Sequence, residues 1–163
     1  MRAPDAILRD MTWHSVASPA EADELLRTFG GFHDACVRDV YLWTGYSVDD
    51  SLSMCVPQKD IRCRVLVQRQ FANPSAVELL FDNVLRLTLL DHPGCDRIIF
   101  RATLAVAPGQ IIWSPDDVAV ENLPGAHTSV IVAERMWWRT VENGLGEVLR
   151  LVPFGELPPS LAR

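Results

Sequence analysis

The fold of this chain is decided by residues 61–90, which read IRCRVLVQRQFANPSAVELLFDNVLRLTLL. Apolar side chains recur at every second position in two runs, at Cys63, Val65 and Val67 and then at Val77, Leu79 and Phe81. This period of two is typical of half-buried β-strands. The intervening residues 71–75 contain Asn, Pro and Ser, which form turns, and Pro74 disfavours the α conformation at Asn73. The segment therefore predicts a strand, a turn, a second strand, and after a kink near Asn83 a continuation through Leu89.

Similar patterns predict further strands along the chain. They cover residues 35–44, 52–56, 97–106, 111–113 and 128–141, with a short strand at 118–120. In the segment 97–106 the alternation assigns Ile98, Phe100 and Ala102 to the buried face. Residues 107–110, Ala-Pro-Gly-Gln, have Pro and Gly at the second and third positions of a type II turn and predict a hairpin.

One helix is predicted over residues 18–30. Ser18 is a favourable N-cap, Pro19 occupies the first helical position, and Glu21 completes a capping box with Ser18. Leu25, Leu26 and Phe29 form an apolar face, and Gly30-Gly31 permits the left-handed conformation that ends many helices.

These elements predict an α+β, mostly β protein. About eight strands form an antiparallel sheet, which curls into a barrel or sandwich or packs one face on the N-terminal helix. The length of 163 residues fits a single domain, residues 1–163. Within it, residues 1–16 are expected to form an arm or a short helix and strand, and residues 153–163, with three prolines, a C-terminal tail.

Composition restricts the function. The net charge of -6 disfavours a nucleic-acid binder, which needs a basic surface to displace counterions. Four cysteines show neither C-x-x-C pairing nor zinc-ribbon spacing. Charged residues interrupt the N-terminal segment, and no window is long and apolar enough to cross a bilayer. We therefore expect a cytoplasmic protein with reduced thiols and no membrane contact.

Few residues suggest chemistry. His33 beside Asp34 fits a general base with its orienting carboxylate, or two groups that bond the backbone where helix meets strand. Neighbouring residues of a strand face opposite sides, which speaks against cooperation between them. No serine-nucleophile elbow, metal-binding spacing or phosphate-binding glycine loop occurs, so we expect no catalytic residue, metal or cofactor.

Two further groups are candidates for binding. Arg62, Arg64 and Arg69 are expected along the outward side of one strand, either paired with Glu78 or Asp82 across the hairpin or forming a stripe for an anion. Trp113, Trp137 and Trp138 are expected to gather into an aromatic recognition patch or to lie in the core. If both Trp137 and Trp138 are covered, their strand is central in the sheet or lies in a homodimer interface.

Three short motifs carry a family resemblance: residues 32–36 (FHDAC), the turn QRQF with NPS at 68–75, and Trp113 after a hairpin. With them the chain resembles, over residues 32–139, an uncharacterised family of small bacterial proteins, some of which are similar to immunity proteins of toxin systems. The resemblance implies a β-rich cytosolic protein without an assigned reaction. It supplies no catalytic residues.

The leading hypothesis is a non-enzymatic protein that binds a protein partner, such as an immunity-type protein. One alternative is a small-molecule-binding protein or hydrolase with a pocket in the sheet, near His33 and Asp34. Another is a structural subunit of a homo-oligomer.

Overall fold

The computed structural model describes residues 12–59, 61–90, 97–123, 127–142, 145–146, 151 and 157–161. In chain order its elements are β1 (His14–Ser15), α1 (Pro19–Thr28), a 3-10 turn (Gly30–Phe32), β2 (Ala35–Trp43), β3 (Ser47–Val48), β4 (Met54–Cys55), β5 (Arg62–Arg69), β6 (Ala76–Thr88), β7 (Thr103–Ala107), β8 (Gln110–Ser114), a 3-10 turn (Val120–Asn122) and β9 (Val130–Thr140). Residues 1–11 of the predicted N-terminal arm lie outside the described part of the chain. In the predicted C-terminal tail, Pro158 and Leu161 are buried.

Seven strands form one antiparallel sheet. Its order is β2-β5-β6-β9-β8-β7, and β1 pairs with β9 beside this path. The predicted meander supplies its centre, because β5 and β6 pair with each other and β6 pairs with β9. Strands β3 and β4 form a separate two-stranded sheet.

The large sheet is strongly curved but open. Its two ends approach each other where the Ile99 N–H donates to the Ala35 carbonyl at 2.7 Å. A second link joins the Ala102 N–H to the Gly31 carbonyl at 3.0 Å. No ladder joins β2 to β7 among the described residues, so the sheet is not a closed barrel. Of the predicted arrangements, the structure adopts the one in which a sheet face packs on the helix.

Helix α1 contributes to the core on the inner face of the sheet. Leu25 and Phe29 are fully buried in the same cluster as Val65 and Phe81 of the sheet. Phe32 follows the helix and lies 6.0 Å from the ring of Trp113. The core is therefore apolar and continuous from the helix to β8.

The predicted capping box begins the helix. The Glu21 N–H donates to the Ser18 hydroxyl at 3.3 Å, and the Glu21 carboxylate accepts from that hydroxyl at 3.1 Å. The same carboxylate accepts the Ala17 N–H at 2.7 Å. Gly30 has φ +60, and a Cβ there would lie 2.8 Å from the Arg69 guanidinium, so both conformation and space favour glycine.

The kink predicted in the central meander is confirmed. Asn83 has φ +54, a conformation that Asn tolerates better than most residues, and the pairing with β9 shifts register between Val84 and Arg86. The hairpin predicted at residues 107–110 is also confirmed, since Ala107 pairs with Gln110 and Gly109 has φ +73.

Two strand predictions are wrong. The strand expected at residues 97–106 begins only at Thr103, and Ile98 and Phe100 are 43% and 70% exposed while Ile99 is buried. Ala102, also assigned to the buried face, is buried as predicted. The β-bridge between Ile99 and Ala35 places Ile99 on the inner face, so the alternation in the sequence predicts the wrong buried residues at 98–100. The strand expected at 118–120 is absent, and the 3-10 turn Val120–Asn122 begins in its place.

The helix cap allows a first prediction. Replacing Ser18 by Ala removes the acceptor for the Glu21 N–H, so we expect the free energy of unfolding to fall by about 1 kcal/mol. Urea denaturation measures this change. The exposed Ser47, replaced by Ala as a control, should alter the free energy of unfolding by less than about 0.5 kcal/mol. Equal effects of the two substitutions would contradict the capping role.

Glu21 makes the cap sensitive to pH. Hydrogen bonds, led by the Ala17 N–H, hold the pKa of Glu21 below its ordinary value of 4.5. Its stabilising contribution is therefore complete above pH 4.5 and is lost as the pH falls through the lower pKa of the folded state. We expect the stability difference between wild type and Glu21→Gln to be largest at neutral pH and to shrink in acid. Urea titrations across this range test it, and a pH-independent difference would contradict it.

Candidate binding surfaces

On the outer face of the sheet, Glu78 of β6 lies between two arginines. Its carboxylate accepts from Arg139 Nε of β9 at 2.9 Å and pairs on its other oxygen with Arg64 of β5. These side chains are between 4% and 7% exposed. The three charges therefore form a buried triad that links three adjacent strands.

Asp82, on the same face of β6, forms a second triad. It accepts from Arg62 Nε of β5 at 2.8 Å and pairs on its other oxygen with Arg135 of β9. Arg135 is more than half exposed, so this triad reaches the surface. The predicted cross-strand pairs are thus present, and sequence reasoning missed that β9 supplies a second arginine to each carboxylate.

Tryptophan rings lie against three of these arginines. The guanidinium carbon of Arg139 lies 4.5 Å from the centre of the Trp13 ring. The corresponding distances are 5.4 Å from Arg62 to Trp43 and 5.7 Å from Arg135 to Trp137. Such contacts are favourable between a cation and an aromatic face.

The chain after β9 also contacts the outer face. The Gly146 carbonyl accepts from the Gln68 amide at 3.2 Å, and the Leu151 N–H donates to the Asp39 carboxylate at 3.0 Å. Arg64 is only 5% exposed. Its ion pair with Glu78 explains the burial of Arg64 as a side chain that joins β5 to β6.

Arg69 does not belong to the predicted arginine stripe. Position 69 is odd, whereas Arg62 and Arg64 are even, so its side chain emerges on the inner face. The guanidinium carbon lies 4.6 Å from the Phe29 ring, and Nε donates to the Pro74 carbonyl at 2.7 Å. Burial lowers the pKa of Arg69. The residue connects the end of α1 to the turn between β5 and β6.

His33 and Asp34 do contact each other. His33 Nδ1 is 3.0 Å from Asp34 Oδ2, although opposite orientations were expected. Neighbouring residues face opposite sides only within a strand, and this rule does not apply here because both residues precede β2. Asp34 also has φ +53, which is not an extended conformation. The two side chains are 59% and 34% exposed. They lie at the surface of the helix-to-strand junction.

The sheet separates Trp137 from the other two candidate tryptophans, Trp113 and Trp138. Trp113 is 1% exposed and lies in the inner core, with no partner for its Nε1–H in the part of the chain that the structure describes. Trp138 is buried in the same core, whereas Trp137 is half-buried on the outer face. No shared aromatic patch forms among these three. Strand β9, which carries Trp137 and Trp138, is central in the sheet, and this by itself accounts for the covering of both its faces.

A projecting hairpin carries the largest group of exposed apolar side chains in the described structure. We call residues 46–56, which include β3 and β4, the hairpin arm. Val48 pairs directly with Met54, so both side chains lie on one face of the hairpin, and Tyr46 and Val56 flank β3 and β4 in the sequence. These four side chains are between 52% and 67% exposed, and Leu52 at the tip is 87% exposed.

The tip of the hairpin arm is ordered by hydrogen bonds. Asp49 Oδ1 accepts from the Ser51 hydroxyl at 2.6 Å, the Ser51 N–H at 2.9 Å and the Ser53 N–H at 3.0 Å. These bonds, led by that of the Ser51 hydroxyl, lower the pKa of Asp49. The arm is therefore a defined hairpin rather than a loose connection.

The strand predicted at residues 52–56 is present as the shorter β4, whereas no strand is predicted at residues 46–51, which include β3. The available signal was the alternation of Tyr46 and Val48 before the acidic tip and of Met54 and Val56 after it. This pattern is typical of a hairpin with one apolar face. It does not reveal whether another part of the chain covers that face.

A cavity of about 220 Å³ opens on the inner face of the sheet. Its walls include Val40 and Val65 on one side and Trp113 and Ile131 on the other, with Ile99 between the two ends of the sheet. His33 and Asp34 are not among the residues that line it.

The cysteines are dispersed in the described structure. Burial raises the pKa of the Cys63 thiol to about 12, whereas Cys36 and Cys55 are exposed. Cys95 lies outside the described residues. Within the described ranges, no group of three or more His, Cys, Asp or Glu side chains is placed to hold a metal ion.

Comparisons with known proteins give no assignment. No family model, curated protein or solved structure shows a significant match to this chain. Among the described residues, no helix has the length and apolar character needed to cross a membrane.

The outer-face triad allows a further prediction. Replacing Glu78 by Gln leaves two buried arginines without their carboxylate, so we expect the free energy of unfolding to fall by about 3–5 kcal/mol. The control is Glu134→Gln, which removes a more exposed pair with Lys59 and should cost less than about 1 kcal/mol. Chemical denaturation of both variants measures the difference. Similar losses in the two variants would show that the triad does not hold the strands together.

Proposed function

We propose that this protein is a non-enzymatic cytoplasmic binding protein that contacts a protein partner through its hairpin arm. The observation that supports the proposal is the group of exposed apolar side chains on the arm, Tyr46, Val48, Met54 and Val56, of which Val48 and Met54 lie side by side on one face. Contiguous apolar surface of this kind is costly to leave in water and commonly marks an interaction site.

Charge indicates the chemistry of the partner. The tip of the arm carries Asp49 and Asp50, and the whole chain has a net charge of -6. An apolar surface bordered by basic side chains complements such an arm in both shape and potential. A toxin neutralised by an immunity-type protein is one partner that fits this description.

An enzymatic role has less support. His33 and Asp34 form an exposed pair, and they do not line the cavity inside the sheet. A general base works best in a site that excludes water and holds its substrate. The binding role instead uses the exposed apolar side chains of the hairpin arm.

Crosslinking in the native cells tests the proposal. A photoreactive phenylalanine analogue replaces Tyr46 on the arm, and in a control protein it replaces Phe100, which is more exposed (70% against 52%) but lies outside the arm. We expect a defined covalent adduct with another protein from position 46, absent from position 100. The Met54→Asp substitution should abolish it, because a buried charge opposes apolar contact.

The purified variant supplies the control for folding. Met54 is 67% exposed, so Met54→Asp should change the free energy of unfolding by less than about 0.5 kcal/mol. Equal labelling from positions 46 and 100 would contradict the proposal. A wild-type dimer that Met54→Asp converts to a monomer would assign the arm to contact between two copies, and would also contradict it.

A further inference from the structure

We infer that the cavity inside the curved sheet is a binding site for an uncharged, ring-sized apolar molecule. This inference is independent of the hairpin arm, because the lining residues come from other strands and from the segment before β7. It rests on the chemistry of the walls, the state of the polar groups at the mouth, and the volume.

Most of the wall residues are apolar, although Arg97, Asp116 and Ser129 also line the cavity. Val65, Trp113 and Ile131 at the inner end are at most 1% exposed. Toward the solvent, Leu89 and Ile98 are 53% and 43% exposed. At the mouth, the open cavity leaves Leu89 and Ile98 in contact with water, and a bound apolar molecule would remove part of that contact.

The polar side chains of Arg97, Asp116 and Ser129 in the cavity lining have contacts within the protein, whereas the Trp113 Nε1–H has no partner among the described residues. The Asp116 carboxylate accepts from the Thr128 hydroxyl, and the Ser129 hydroxyl accepts from the Leu90 N–H at 3.0 Å. Arg97 likewise has an interaction of its own. A charged ligand would have to compete with these contacts, whereas an uncharged molecule leaves them in place. Recognition is therefore by shape and apolar contact.

The volume sets the size of the ligand. An engineered apolar cavity of about 150 Å³ binds benzene. The cavity of about 220 Å³ is larger, and a fused bicyclic ring fits it better than a single ring does. A peptide or a lipid chain is too large to enter completely. Indole is therefore a suitable probe, and indole-3-carboxylate is its charged counterpart.

Ligand titration followed by NMR of the valine and isoleucine methyl groups tests the inference. We expect indole to shift the methyl signals of Val65 and Ile131 with half-saturation below about 1 mM, as a ligand of about nine non-hydrogen atoms permits. Indole-3-carboxylate should bind at least tenfold more weakly. Absence of saturable shifts with indole, or tighter binding of the carboxylate, would overturn the inference.

Matched substitutions locate the site. Val40→Phe places a ring in the cavity and should weaken indole binding at least tenfold. Val106→Phe is the control, because Val106 is also a half-buried strand valine against the core but does not line the cavity. If Val40→Phe does not fold, Val37→Phe at the more exposed mouth serves the same purpose. Equal binding by the cavity and control variants would overturn the inference, whatever the arm crosslinks show.

Discussion

The structure depends on the burial of both faces of strands β5, β6 and β9. Their inner face is apolar and packs with α1, while their outer face buries Arg64, Glu78 and Arg139. Buried charges are tolerated only when they are paired and hydrogen-bonded. The carboxylate of Glu78 meets this requirement because it lies between arginines from both neighbouring strands. Strand register and charge pairing therefore constrain each other at the centre of the sheet.

The curvature of the large sheet follows from the side chains that pack on its inner face. Phe29 contacts Phe32, Phe32 contacts Trp113 of β8, and the two sheet ends approach at Ala35 and Ile99. The helix region fills part of the interior, and the space beside Trp113 and Ile131 forms the cavity. The proposed ligand site is thus a consequence of an incompletely filled curved sheet.

The hairpin arm is the opposite case, since its apolar side chains are more than half exposed. It has its own two-stranded pairing and an ordered acidic tip, so its shape does not depend on a partner. A preformed arm loses less conformational entropy on binding than a flexible loop does. The two proposed sites use different parts of the molecule, one projecting outward and one enclosed by the large sheet.

Local features were predictable from the sequence because each is set by a few neighbouring residues. The period of two fixed β5, β6 and β9 as strands, Ser18 and Glu21 began the helix, and Pro108-Gly109 made the β7–β8 hairpin. The pairs of Arg62 and Arg64 with Asp82 and Glu78 followed from one hairpin register.

Only the tertiary structure decided which surfaces are covered. The arginines of β9, the exposure of Ile98 and the uncovered face of Val48 and Met54 all depend on segments distant in the chain. Alternation in a sequence indicates that the two faces of a strand differ, but it does not indicate what packs on either face. Burial arises from long-range contacts, and so the candidate binding surfaces became visible only in the folded chain.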